Sequence, residues 1–569
     1  MNRVILAIMG AMAALVVAVG VLIVVVVATG GGSGGGTGCG QSASAETPSG
    51  AAGGPSGQLC LSGPEPITLD PHIAQDASSA VYIVEIFGGL LTLDQQLNVQ
   101  PDLVSEIPTV ENGGKAVNAD GTATYTFHLR PNVTFQDHKP VTADIVKCSL
   151  ERAANPATQS LVSEFFLGDI VGVKDVVDGN ATDISGVKVV DPSTVAITIQ
   201  RDIASFLYKL TYPTSFVVDP SQVGGTCGGR DYGNGDSNWT RRPNGTGPYQ
   251  LDQWRLGEEI RLLANDHYQL GVAHVKSVRV LLAGGGITAY EKGDIDLTGV
   301  GLDDIERVKD PADPLNKDYH TGTQLSVDYI GFNTKDPPFD DPKVRQAFAM
   351  AVDRNKIATA VFHDALPVAD KIIMPGMPAY NEDIKGPAFD PVRAKQLLEE
   401  STYGGPEDLP EITFAESGTG ATGGADTSAI VEMWRTNLGV TVQIQQAESA
   451  TFFQDVADGR YQAFHLGWIM DYPDEEDLLN IHFDSESPNN DTFYKNTQVD
   501  DLLRRAQIEP DKATRNQLYQ QAEQIILNDV PWMPLFFSRY HQLIKPYVQN
   551  YQVAGTIVPR LRFVTLTPH

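Results

Sequence analysis

At 569 residues the chain is too long for one simple core, so two or three domains are expected. A hydrophobic content of 42% with 8% aromatics suits a globular protein and not a disordered one. The 71 acidic and 41 basic residues give a formal charge of -30, which argues against nucleic acid or an anionic membrane surface as a partner.

The N-terminus carries one cation, Arg3, and then an apolar run from Val4 to Ala28. At about 1.5 Å per residue this run can cross a bilayer, and it also has the character of an export signal. Residues 1–30 therefore read as a signal or membrane anchor, and the Gly/Ser-rich residues 31–57 as a flexible tether. Thr37-Gly38-Cys39 resembles the end of a bacterial lipoprotein cleavage site, with Gly36 departing from the usual pattern, so Cys39 is the candidate for lipidation. Both readings place the body outside the cytoplasm. With Cys39 lipidated, Cys60, Cys148 and Cys227 remain, for which one disulfide and one buried thiol is the simplest arithmetic.

From Gln58 onward the texture is mixed α/β without internal repeats. "QLCLSGPEPITLDP" reads as a strand and turn, and "AVYIVEIFGGLLTLD" as a helix stopped by Gly88-Gly89. "ATYTFHLRPNVTFQ" alternates like a half-buried strand, "VTADIVKCSLERAA" is a helix with Thr142 as its cap, and "STVAITIQ" is a further strand. "SFLYKLT" reads as a short helix, and "GTGPYQLDQWRLGEEIRLLAND" as a turn feeding two antiparallel strands.

In the second half "DYIGFN" is a strand, followed by the helix of "GFNTKDPPFDDPKVRQAFAMAVDR" (331–354). There Asp341 can cap, Pro342 suits the first turn, and Val344, Phe348, Ala351 and Val352 share a face. "DPVRAKQLLEE" is helical, and "TSAIVEMWRTNLGVTVQIQQ" reads as helix, Gly439 turn and strand. Two more helices, "VDDLLRRAQ" and "KATRNQLYQQAEQIILND", precede strand-like pieces around "WMPLFFSRYHQLI".

No phosphate-binding loop, HExxH or convincing nucleophile–base arrangement occurs. The one GxSxG match, Gly31 to Gly35, lies in the tether, without the strand-to-helix elbow the motif requires. The cysteines and eleven histidines show no metal-ligand spacing, and "DYPDEEDLL" lacks the order of a calcium loop. The expectation is a protein without catalytic residues, metal or cofactor.

"TLDP" (68–71), "YTFHLRPNVTFQDHKPVTADIVKCSLER" (125–152), "NGTGPYQL" (244–251), "GDIDL" (293–297), the 331–354 stretch, "GWIMDYPD" (467–474), "YKN" (494–496) and "ILNDVPWMPLF" (526–536) follow one another in order. Together they resemble extracellular solute-binding protein family 5, the peptide/nickel substrate-binding proteins of ABC transporters, of the oligopeptide- and dipeptide-binding type. The departures, Asp137-His138-Lys139 in a turn and Ala143-Asp144 at a helix start, touch neither fold nor role.

The resemblance implies an α/β fold of the type II periplasmic-binding-protein class: two lobes, a ligand cleft between them, and an extra subdomain in the first lobe. On that basis 58–280 is lobe I with an inserted subdomain at about 90–205, 281–535 is lobe II, and 536–569 returns to lobe I, with crossings near Val280 and Phe536. The 331–354 stretch is then scaffold, in which Arg345 and Asp353 hold helices together.

The implied function is capture of oligopeptides or dipeptides by lobe closure and delivery to ABC permease subunits, by a monomer anchored to the cell membrane. The alternatives are a non-peptide solute (an oligosaccharide, a nickel chelate or another small molecule) and a peptide-sensing lipoprotein. A peptide's ammonium needs a fixed carboxylate once it is buried. Peptide-binding members supply it from a W-x-x-D segment, which here makes Asp471 the ammonium anchor, with Trp468 and Tyr472 beside it. Tyr82, Phe87 and Tyr494 fall in segments that approach the cleft in the family, and Arg460 and Arg539 are the candidates for a peptide carboxylate. Cys60 and Cys227, both expected in the sheet-based part of the first lobe, are the expected disulfide, leaving Cys148 as the buried thiol.

Overall fold

The computed structural model describes residues 57–568 except 228–229, 232, 419–422 and 553–554. Segment 1–30, the tether up to residue 56, and Cys39 lie outside the described residues. The described chain forms two compact units, one of Ile203–Ser205 and Thr323–Arg539, the other of the remainder. The chain passes between them inside two long strands, Tyr319–Phe332 and Trp532–Ile544. The expected crossing near Val280 is therefore corrected. Val280 lies within the strand Ser277–Leu281, paired on one side with Glu259–Ala264 and on the other with Gln58–Ser62, so the chain stays in the same unit until Gly322. The return falls at Arg539, three residues beyond Phe536.

In the unit that holds both described ends, Tyr249–Arg255, Glu259–Ala264, Ser277–Leu281, Gln58–Ser62 and Leu297–Gly299 pair in that order. Gln58–Ser62 runs parallel to Ser277–Leu281, which buries both of its faces and explains its apolar "LCL". A separate antiparallel sheet, ordered Lys115–Val117, Ala123–His128, Thr194–Ile199, Val187–Asp191, carries the helix Ala143–Ala154. The alternation of "ATYTFH" is real: Ala123, Tyr125 and Phe127 are buried. Thr142 occupies the cap position of the helix but makes no capping hydrogen bond with its side chain.

The motifs of this unit are packing devices. Arg152 reaches back to Asp70 of "TLDP" through two nitrogens, at 2.9 and 2.6 Å. A Cβ at Gly245 would lie 2.0 Å from the Ile86 carbonyl oxygen, and one at Gly247 2.6 Å from that of Glu85. Only glycine lets "NGTG" pass so close to that helix end.

The disulfide joins Cys148 to Cys227, with Cα atoms 5.3 Å apart, so the expected Cys60–Cys227 bond and the free Cys148 thiol are both corrected. The helix Pro220–Val223, just before Cys227, packs on the helix that carries Cys148. Cys60 is fully buried in a strand paired on both sides.

In the other unit, Tyr319–Phe332 pairs antiparallel with Ala463–Ile469, which is followed outward by Ile412–Ser417 and Val442–Ala447. The helix Pro342–Met350 begins as its sequence requires, with Asp341 accepting from the Lys343 N–H at 2.8 Å. Val344, Phe348, Ala351 and Val352 are wholly buried against Phe332, Phe339, Phe414 and Trp434. Truncating Phe348 would cost about 3–5 kcal/mol. Arg345 donates to the carbonyls of Phe339, Asp529 and Val530, and Asp353 caps the next helix, so both hold scaffold together.

Candidate functional site

The strand Ala463–Ile469 supplies the two faces of the candidate site. Trp468 stands opposite Val327 and Leu466 opposite Tyr329, which places all four on one face. There the Tyr329 and Trp532 rings stack at 3.4 Å, His482 packs 4.8 Å from Trp532, and Trp468 meets His482 edge-on at 4.4 Å. Phe483 closes on Trp532 at 4.8 Å. Two ring nitrogens of the wall, Trp468 Nε1 and His482 Nε2, are buried without a hydrogen-bond partner among the described residues. Burial lowers the His482 pKa to about 3, so the imidazole is neutral.

His465 lies on the opposite face, its Nε2 2.6 Å from Asp328 Oδ1. Burial alone would lower its pKa, but the charges of Asp328, Asp426 and Glu416 outweigh burial and raise it to about 9. It is a paired imidazolium.

Past the strand, "DYPDEED" folds into a tight acidic turn, and most of its acids have structural work. Asp474 caps Glu475–Asp477 and pairs with Arg515. Glu475 accepts from the Ala379 N–H at 2.6 Å, and Glu476 accepts from the Tyr472 hydroxyl. Two carboxylates remain. Asp477 is fully buried, with Oδ2 accepting from the Asp471 N–H at 2.7 Å and Oδ1 unpartnered. Asp471 keeps part of its surface open to solvent and has no cation beside it among the described residues; desolvation pushes its carboxyl well above the usual carboxylate range. Asp477 is pushed up too, by burial and then by the Asp471 charge.

Asp471 and Tyr472 lie in the turn that follows the strand carrying Trp468, with Tyr472 wholly buried as a support of the turn. Tyr494 lies in the same unit, buried, its hydroxyl donating to Asp529 at 2.6 Å. Tyr82 and Phe87 belong to the other unit's core: the Tyr82 hydroxyl donates to the Pro64 carbonyl at 2.7 Å, and Phe87 packs edge-on to Trp239 at 6.2 Å. Arg460 forms ion pairs with Asp455 and Asp458 at the surface, and Arg539 is exposed on its strand.

Sequence reasoning did not bring Tyr329, His482 and Trp532 together. They are separated by more than a hundred residues in part, and nothing in the spacing joins them. Among the described residues no group of three or more His, Cys, Asp or Glu side chains is arranged to hold a metal ion.

Residues 98–490 match the family described as bacterial extracellular solute-binding proteins, family 5 Middle. The chain is 29% identical over 501 residues to the probable deoxycholate-binding periplasmic protein YgiS of Escherichia coli (strain K12), covering 86% of this chain and 89% of that protein. It is 25% identical over 511 residues to the oligopeptide-binding protein OppA of Bacillus subtilis (strain 168), covering 87% and 89%. The structure of the Escherichia coli murein tripeptide binding protein MppA superposes with a TM-score of 0.71 at 24% identity, over 90% of this chain and 99% of that one. The fold is thus the two-lobed type II periplasmic-binding-protein class, and the chain belongs to the bacterial extracellular solute-binding proteins of family 5.

Proposed function

We propose that this protein is the substrate-binding component of an ABC importer, capturing oligopeptides or dipeptides by lobe closure and handing them to membrane permease subunits. It acts as a monomer outside the cytoplasm, held at the membrane by a lipidated Cys39 or by a retained N-terminal segment, and it is not an enzyme. The observation that carries this reading is Asp471, a desolvated carboxylate reachable from solvent and without a cation beside it among the described residues. Such a group is costly alone and is relieved by an ammonium that brings its own hydrogen bonds. In this reading Trp468, three residues before Asp471, walls the same place. Tyr472 steadies the turn, and Tyr494 acts in this reading as support within the same unit.

A non-peptide solute is the second reading, favoured by the relative named for deoxycholate. An anionic steroid would meet the Asp471 charge unfavourably, so the amine-bearing ligand is preferred. Native mass spectrometry of protein purified without denaturation separates the two. Co-purified masses forming a ladder of short peptides are the expected result. One non-peptide mass would keep the trap and replace its cargo.

A further inference from the structure

A cavity of about 570 Å³ lies wholly within the unit that holds both described ends, and its volume is that of a small-molecule cleft. One wall is Lys317 with residues 320–322, where the strand Tyr319–Phe332 begins. The other is residues 544–546 and 548–552, which run on from the end of the strand Trp532–Ile544. This second wall is a fixed turn. The Val548 N–H donates to the Lys545 carbonyl at 2.9 Å, and Val548 and Gln549 pair with Leu566 and Thr565. Asn550, at φ 63°, donates from its side chain to the Thr565 hydroxyl at 3.2 Å.

The lining differs in charge from the chain as a whole. The protein has 71 acidic and 41 basic residues and a formal charge of -30. Yet Lys317, His320 and Lys545 all line this cavity, and among the described residues no Asp or Glu does. None of the three has an ion-pair partner among the described residues, whereas in the same unit Arg279 pairs with Glu259, and Arg307 with Glu291 and Asp313. Packing places Lys545, whose ammonium sits 3.9 Å from the centre of the buried Tyr290 ring. The acids next to these walls are buried and bonded elsewhere. Asp318 accepts from the Tyr290 hydroxyl at 2.9 Å, and Asp296 from the Cys60 N–H at 2.8 Å and the Tyr547 hydroxyl at 2.6 Å.

Two ammonium groups and an imidazole around one cavity, with no carboxylate in the lining to neutralise them, concentrate positive potential and draw anions. Thr321 and Gln552 add neutral hydrogen-bond donors. The kind of anion follows from the kind of cation. Planar carboxylates are best met by the two-pronged guanidinium, and among the described residues no arginine lines the cavity; lysine meets phosphate as a point charge. We propose that this cavity is an accessory binding site for a small phosphate-bearing anion, held by Lys317 and Lys545 with His320 beside them. The anion is free in solution and not a phospholipid headgroup, because a charge of -30 opposes approach to an anionic bilayer. None of this requires a peptide ligand or Asp471.

The test is calorimetric titration of the full chain at pH 7, in buffer free of phosphate, with pyrophosphate and with succinate. Pyrophosphate should bind at one site, about tenfold or more tightly than succinate, and its affinity should fall as sodium chloride is added. The double variant Lys317→Gln/Lys545→Gln should lose about tenfold or more of that affinity. Wild-type protein alone gives a second readout, which stands even if the variant folds poorly. In acetylation by acetic anhydride, mapped by peptide mass spectrometry, pyrophosphate should protect Lys317 and Lys545 and leave the other lysines unchanged. No saturable binding of pyrophosphate, or binding that protects neither lysine, overturns the site. Succinate binding as tightly as pyrophosphate overturns the phosphate assignment. Protection of the two lysines by phosphatidylglycerol vesicles, with none from pyrophosphate or from phosphatidylcholine vesicles, overturns the free anion in favour of a lipid headgroup.

Discussion

Arg152 and Asp70, 82 residues apart in sequence, meet through two parallel hydrogen bonds at 2.9 and 2.6 Å. The same guanidinium donates to His72 Nδ1 at 2.8 Å, so the ring's proton sits on Nε2 and is donated to the Phe216 carbonyl at 2.9 Å. One cation thus fixes a carboxylate, a tautomer and the end of a helix. Arg152→Ala strands a buried carboxylate and is expected to cost about 3–5 kcal/mol in urea unfolding at pH 7. Burial alone would raise the Asp70 pKa, but the Arg152 bonds and charge lower it on balance. The stabilisation is therefore present above the ordinary aspartate value and lost as pH falls through the lowered one. A difference between wild type and variant that stays constant down to pH 2 would refute this account.

His465 has the opposite sign. Its pKa is raised from 6.5 to about 9, so its contribution is complete below pH 6.5 and disappears as pH rises through 9. The shift corresponds to about 3 kcal/mol. Thermal melts of wild type and His465→Gln should differ most at pH 6 and converge above pH 10.

Asp471→Ala is expected to weaken binding of a free-amine peptide by about 3–5 kcal/mol, because the ammonium would then be buried without a counter-charge. Affinity in the wild type should rise with pH as the elevated carboxyl ionises. N-acetylation of the peptide should cost wild type dearly and leave the variant almost unaffected. Matched losses in both proteins would remove Asp471 from the site.

Asp477→Asn should stabilise the unliganded protein. An acid whose folded pKa is raised costs stability as pH climbs from its ordinary value through the raised one, and Asp477 is raised by burial and by Asp471. The asparagine oxygen can still accept the Asp471 N–H, so the turn is retained. Chemical denaturation should show a higher midpoint than wild type at pH 8 and no difference near pH 4. A lower midpoint at pH 8 would mean that the carboxylate itself holds the turn.

Local rules carried the reading a long way along this chain. The Asp341 cap, the buried face of Val344 and Phe348, the Gly439 helix stop at φ 77°, and the alternation of "ATYTFH" follow from interactions within a few residues. So did the family and, through its W-x-x-D segment, Asp471 as a place to look. Tertiary structure decided what local rules cannot contain. Cys148 pairs with Cys227 because two helices pack, and no spacing encodes that contact. The passage between units falls at Gly322 and not near Val280, because strand pairing holds Ser277–Leu281 within the sheet of its own unit. The acids of "DYPDEED" look alike in sequence, yet Arg515, the Ala379 N–H and the Tyr472 hydroxyl engage three of them and leave Asp471 and Asp477. Composition and periodicity register which side chains a segment owns; desolvation and partnership depend on what distant segments bring to them, and only the folded chain fixes that.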